Sequence, residues 1–192
     1  GIIMNTGLER YSFRLNLKSE LAKRLVLQLN TSYSQTEQKQ TSHSQSSSMN
    51  QMVRRILTTK PTLMPGDQIY EDENVEYVPA DNPYIMATEL KDILQQRFFI
   101  LNASLTYNFG KGLSWKGAGS FNRTDGSRST YYPIGTNAGN SAHGMAFRGE
   151  DNRQNIVLET TVNYDRKFKK HHHINAVLGY THEDRQRKTL AI

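Results

Sequence analysis

The chain has 192 residues, a formal net charge of +6, only 36% hydrophobic residues and no Cys. The missing thiols exclude disulfide scaffolds, thiolate metal sites and cysteine nucleophiles. A dry core would be thin, since soluble domains usually carry about 45–50% apolar residues. Mean hydropathy is −0.69, and no run approaches the roughly eighteen apolar residues of a membrane-spanning helix. A transmembrane barrel passes the same test, because only alternate residues of its strands meet lipid.

Ten Tyr, seven Phe and evenly spaced Leu and Val argue against disorder. Lys and Arg are scattered along the chain without a sustained basic helix or stripe, which argues against nucleic acid as a partner.

Six segments alternate with period two, the pattern of strands that have two chemically different faces. The first, near 10–18, sets Tyr11, Phe13, Leu15 and Leu17 against Ser12, Arg14 and Asn16. The second, near 25–35, sets Leu25, Leu27, Leu29 and Tyr33 against Val26, Gln28, Asn30 and Ser32. Within the loop that follows, Met49, Met52, Val53, Ile56 and Leu57 have helical spacing. This short helix either packs the loop down or offers a docking surface, with Met52, Val53 and Ile56 as its contacts.

The third segment, near 97–109, carries Phe99, Leu101, Ala103, Leu105 and Tyr107 on one face and Asn102, Ser104 and Thr106 on the other. A tight turn at Gly110-Lys111-Gly112 leads to the fourth, near 113–123, with Trp115 and Phe121 opposed by Ser114, Lys116 and Asn122. In the next loop Tyr131 and Tyr132, with Arg128 nearby, are candidates for ligand contact, because aromatic rings combine area with a polar handle. The fifth and sixth segments, near 155–166 and 173–183, place Ile156, Leu158, Val162, Ile174, Leu178 and Tyr180 on their apolar faces.

The connections alternate in length. Short turns join strands one to two, three to four and five to six, whereas long loops at 36–96 and 124–154 join the others. Short turns on one rim and long loops on the other are the arrangement of outer-membrane barrels, with the short turns periplasmic. The expected fold class is therefore all-β, an antiparallel meander of about six amphipathic strands cut from a larger transmembrane barrel. Six strands cannot close a bacterial barrel, for which about eight is the lower limit. The alternative architecture is a soluble or surface-anchored β-sandwich that binds carbohydrate. Arg14, Lys116 and Glu159 would face the wet interior, and Tyr11, Phe13, Leu15, Leu27, Leu29, Leu101, Leu105, Trp115, Leu158 and Leu178 would face outer-membrane lipid.

At the level of specific residues the chain resembles the barrel portion of SusC/RagA-like TonB-dependent transporters of Bacteroidetes outer membranes. The matching elements are Asn5-Thr6-Gly7 with the strand after it, the "LNTSYS" ending of the second strand, Asn82-Pro83-Tyr84, the stretch "LNASLTYNFGKGLSWKGAGSFNRTDGSRSTYYP", and "NAVLGYTHE". The resemblance implies a barrel of about 22 strands with an N-terminal plug. It also implies a SusD-like surface lipoprotein as lid, energy relayed by TonB, and import of glycans, oligosaccharides or peptides. No signal peptide, TonB box or plug is recognised in these residues, so the expectation is a partial barrel segment.

No catalytic motif is found: there is no Ser-His-Asp elbow, Walker loop or HExxH, and neither enzyme activity nor a cofactor is expected. His171, His172 and His173 read as a solvated turn, since adjacent side chains diverge rather than converge on one ion. Asp67, Glu71, Asp72, Glu73 and Asp81 lack the spacing of a calcium loop and read as loop surface, so no metal site is expected. The tripeptides at Asn30, Asn102 and Asn122 match the glycosylation pattern, but they lie in or at the ends of strands and read as coincidence.

Overall fold

Alternation of apolar and polar residues is resolved into one antiparallel sheet. The computed structural model describes residues 4–40, 57, 59, 69–70, 79–80, 82–168 and 172–192. Six long strands, β1 (Gly7–Ala22), β2 (Leu25–Gln40), β5 (Lys91–Gly110), β6 (Leu113–Tyr132), β7 (Met145–Phe168) and β8 (His172–Ala191), pair in sequence order. Among the described residues the only other ladder joins β3 (Ile69–Tyr70) to β4 (Pro79–Ala80). The described residues thus form one six-stranded sheet and one two-stranded ladder.

Directly paired residues of neighbouring strands lie on the same face. The register couples Phe13 to Tyr33, Tyr33 to Phe99, Leu101 to Phe121, Phe121 to Ile156 and Val162 to Leu178. Every lipid-facing candidate named from the sequence therefore lies on this one apolar face. The opposite face gathers Arg14, Gln28, Asn30, Asn102, Ser104, Lys116 and Glu159. Among the described residues nothing covers that apolar face even on the interior strands: Leu158 is 54% exposed, Val162 38% and Tyr33 37%. An apolar patch of this extent marks a face that meets lipid or another apolar surface.

The apolar band crosses the ladder obliquely. Its end toward the long loops is Tyr11 on β1, which shares a rung with Gln35, Arg97, Asp125, Asn152 and Lys188. On β8 it is Tyr180, on the rung of Thr160, Gly117, Leu105, Leu27 and Ser19. From Asp125 to Gly117 on β6 is a drift of eight residues, about 26 Å of rise across five strand spacings of about 4.8 Å, which gives a tilt of roughly 45–50°. Strands of transmembrane barrels cross the bilayer at about 35–45°. The same tilt explains why His182 and Asp184 sit beside Leu158 and Ile156 on the apolar face. They share rungs with those residues yet lie beyond the band.

The strands are longer than the alternation indicates. β6 and β7 continue through most of 124–154, leaving Pro133 to Gly144 as the connection between them. The physical reason lies on the apolar side beyond the band, where Arg97, Arg123, Asp125, Gln154 and Asn152 replace Leu and Phe. Both faces are polar there, so the ladder persists without a period-two signal in hydrophobicity. Likewise, β5 begins at Lys91 rather than near 97.

Tight turns close the hairpins, and a one-residue bulge at Asn108–Gly110 adjusts the register beside one of them. At the β5–β6 tip, Lys111 and Gly112 both have positive φ, 54° and 87°, the conformation of a type I′ hairpin. Gly112 also lies against β7: a Cβ there would meet the Asp165 carbonyl oxygen at 1.9 Å. What burial exists sits at the long-loop rim. Helix α1 (Pro83–Thr88), capped by the Asn82 side chain on Tyr84 N at 2.9 Å, buries Met86. Helix α2 (Asn137–Ser141) is capped by Thr136, whose hydroxyl also donates to the Pro133 carbonyl at 2.7 Å. Asn5 ties the start of the sheet to α1 through the Ala87 carbonyl at 3.1 Å.

Candidate ligand-facing surface

The polar face is concave around an open hollow of about 400 Å³, lined mainly by Gln28, Asn30, Asn102, Ser104, Lys116 and Glu159. These are amides, hydroxyls and one charge of each sign, so the surface both donates and accepts hydrogen bonds without favouring an ion of one charge. Toward the long-loop rim the same face becomes strongly ion-paired.

Two clusters form there. Asp92 on β5 is fully buried, and Arg128 on β6 grips it with both arms, Nε to Oδ1 at 2.9 Å and Nη2 to Oδ2 at 2.6 Å. Thr130 adds a bond from Oγ1 at 3.3 Å. A buried carboxylate is tolerated because the planar guanidinium matches it in geometry and charge. Arg128 itself is 38% exposed, so one edge of the pair still faces the concave side.

The second cluster bridges β7 and β8. Asp151 accepts from Arg187 Nε at 2.8 Å and Thr189 Oγ1 at 3.3 Å, and from Arg153 Nε at 2.8 Å. The bond from Arg187 first, and then that from Arg153, lowers the Asp151 pKa from the ordinary 3.8 to about 2.

The structure separates the two tyrosines named from the sequence. Tyr132 is on the polar face two residues beyond Thr130, its ring edge-on to Phe147 with centroids 6.3 Å apart. Tyr131, its neighbour, lies on the opposite face, paired with Lys91 and Ala146. Period two makes this unavoidable in a strand. Tyr132 and Arg128 thus share a surface, and Tyr131 does not join them. Met52, Val53 and Ile56 lie outside the described residues, as do His171 and the acidic residues Asp67, Glu71, Asp72, Glu73 and Asp81.

Asp92, Asp151, Arg153, Arg187 and Phe147 were not anticipated. The available signal was the spacing Arg128, Thr130, Tyr132, which repeats every second residue once the strand is known to continue. Among the described residues no three His or acidic side chains converge as metal ligands. His173 instead bonds Asp165 at 2.7 Å near the short-turn rim.

One tilted sheet, apolar outside and polar on its concave side, defines the class: an all-β stretch of wall from a large transmembrane barrel. No family model matches the chain. The chain is similar to TonB-dependent receptor P3 of Formosa agariphila, with 23% identity over 188 residues, covering 95% of this chain and 19% of that protein. Among solved structures it is similar to the RagAB peptide importer in its open-open state, with TM-score 0.70 and 18% identity. The closed-closed state gives TM-score 0.66 and a further RagAB peptide transporter structure 0.68, at 18% and 17% identity. Each of these covers 97% of this chain and 21% of the other. The chain therefore spans about a fifth of the length of the proteins it matches. The resemblance to SusC/RagA-like TonB-dependent transporters holds along nearly the whole chain, and these relatives are receptors and importers rather than enzymes.

The Asp151 cluster makes a pH prediction. A lowered carboxylate pKa means that the stabilisation from keeping Asp151 ionised is complete above about 3.8 and is lost as pH falls through about 2. A carboxyl-carbon NMR titration of the intact protein should place the Asp151 midpoint near 2, and Arg187→Gln should move it toward 3.8. An unchanged midpoint in that variant would show that Arg187 is not the cause.

Proposed function

We propose that these residues form part of the wall of a TonB-dependent outer-membrane importer that takes up glycans, oligosaccharides or peptides. The observation that carries this reading is the oblique apolar band, which gives the sheet a bilayer-sized outer face and a wet inner one. The similar proteins support it, since one is a TonB-dependent receptor and the others are structures of a peptide importer.

In the complete protein a SusD-like lipoprotein closes over the long-loop rim, and TonB acts through parts outside this segment. The loop bearing Met52, Val53 and Ile56 is the proposed contact for that lid. Ligand passes along the concave face, where Tyr132 and the exposed edge of Arg128 meet it. A ring beside a guanidinium suits both sugar faces and peptide groups, because one supplies flat apolar area and the other directed donors.

Two comparisons in the full-length protein test this. Leu101→Arg, which points a charge at the middle of the apolar band, should destabilise the folded barrel by about 2–4 kcal/mol, whereas Asn102→Arg on the other face should change it little. The readout is the folded fraction by heat-modifiable electrophoretic mobility. Equal effects of the two variants would remove the membrane assignment. For the ligand route, Tyr132→Ala should weaken uptake about fivefold, in line with roughly 1 kcal/mol for a stacked ring, while Tyr131→Ala leaves it unchanged. If Tyr131→Ala has the larger effect, the concave face is not the ligand route.

A further inference from the structure

The short turns bring together cations that the linear sequence keeps far apart. Lys23 and Arg24 form the β1–β2 turn, Lys111 the tip of β5–β6, and Arg166 and Lys167 the end of β7. All five are exposed. The turns touch one another. Arg24 donates from Nη1 to the Phe109 carbonyl at 3.3 Å, and its guanidinium lies over Gly110. Asp165 N donates to the Gly112 carbonyl at 2.8 Å, which fixes Arg166 beside the second turn. The cations thus form one rim across β2, β5, β6 and β7, three strand spacings or roughly 14 Å.

The acids near this rim leave Arg24, Lys111 and Arg166 without an ion-pair partner among the described residues. Asp165 and Glu20 both project on the concave side, where Asp165 is engaged by His173 at 2.7 Å and Asn175 at 3.3 Å and is also acted on by Lys167, which shares that face. Directly inward of the rim, on the apolar face, lies an aromatic belt. Tyr107 and Phe109 pack edge to face with centroids 4.7 Å apart, Trp115 pairs with Tyr107 across the ladder, and Tyr164 and Phe168 lie 6.4 Å apart. The Arg166 guanidinium sits 4.9 Å from the centre of the Phe168 ring.

Read outward from the band, the order is aliphatic, aromatic, cationic. A phospholipid leaflet presents acyl chains, ester carbonyls and phosphates in the same order. A soluble acidic partner would meet the cations but would leave the aromatic belt without a complementary layer. We propose that this rim binds the phosphates of anionic phospholipids in the leaflet on the short-turn side, with Arg24, Lys111 and Arg166 as its principal contacts. Basic residues at a membrane surface each strengthen attachment to anionic lipid severalfold, and the effect multiplies along a cluster. The consequence for the barrel is a fixed depth in the membrane. Cations at the phosphate level hold the band in place against sliding.

The proposal rests on the membrane reading above, and its test separates the two. Full-length protein would be purified in neutral detergent and titrated with phosphatidylglycerol or phosphatidylcholine, with bound lipid counted by native mass spectrometry. Phosphatidylglycerol should bind more tightly than phosphatidylcholine, and Arg24→Gln/Lys111→Gln/Arg166→Gln should weaken phosphatidylglycerol at least about tenfold with phosphatidylcholine unaffected. Lys111→Gln alone, at an exposed hairpin tip, should weaken it about threefold and serves if the triple variant does not fold. Equal binding of the two lipids, or unchanged phosphatidylglycerol binding in the variants, overturns the proposal. So does complete competition by equimolar inorganic phosphate or polyglutamate, which would indicate a phosphate-ion site or an acidic partner instead. Failure of the membrane reading has a different signature: the full-length protein would remain monodisperse in buffer without detergent.

Discussion

The antiparallel ladder, in unbroken register over the apolar band of all six strands and shifted only at bulges near the short turns, at Glu20–Ala22 and Asn108–Gly110, is the constraint on which everything else depends. Every strand interior carries its backbone hydrogen bonds laterally, which is the only way for strands to cross hydrocarbon without orphaned N–H and C=O groups. Because side chains alternate, a slip of one residue in any pair would turn that strand's leucines inward and its amides outward. The pairings of Phe13 with Tyr33, Tyr33 with Phe99 and Leu101 with Phe121 show that no such slip occurs over the band. Between the type I′ tip at Lys111 and Gly112 and the strands above it, a bulge at Asn108–Gly110 shifts the pairing by one residue and sets the register of β5 on β6.

Tilt follows from the same register. A band perpendicular to the strands would describe a sheet standing upright, but the drift from Tyr11 to Tyr180 describes strands inclined to the plane that the apolar residues share. This inclination lets long strands emerge above the band, where both faces are wet. There the sheet stops being a membrane element and becomes a support for polar groups. The Asp92–Arg128 pair and the Asp151 cluster both occupy that part of the concave face. The Asp92–Arg128 pair is charge-balanced, whereas the Asp151 cluster, with Arg153 and Arg187 on one carboxylate, leaves one positive charge in excess on this surface.

Much of this was legible in the chain. Alternation located all six strands and sorted Leu27, Leu101, Trp115 and Leu178 onto one face, because hydrocarbon imposes a sharp chemical difference between neighbours. Beyond the hydrocarbon that difference disappears, which is why 124–154 reads as loop although β6 and β7 run through most of it. The Asp92–Arg128 pair was not legible because it joins residues 36 apart through a register that no local pattern encodes. Tyr131 and Tyr132 illustrate the same limit. Adjacent in sequence, they read as a pair, and only knowledge that they stand in a strand separates them. Similarly, lysines and arginines that appear scattered along the chain gather into a rim once the turns are aligned.

The most direct test of the account is an accessibility scan along β5 in the membrane-embedded full-length protein. These 192 residues contain no cysteine, so in a full-length background with any other reactive cysteine replaced, single spin-labelled cysteines placed from Phe99 to Tyr107 report one position at a time. The account predicts strict alternation, with labels at 99, 101, 103, 105 and 107 relaxed by oxygen dissolved in lipid and labels at 100, 102, 104 and 106 relaxed by a water-soluble nickel chelate. It also predicts that lipid contact begins eight rungs lower at Tyr180 than at Tyr11. A uniform response along β5, or a band level across the sheet, would contradict it.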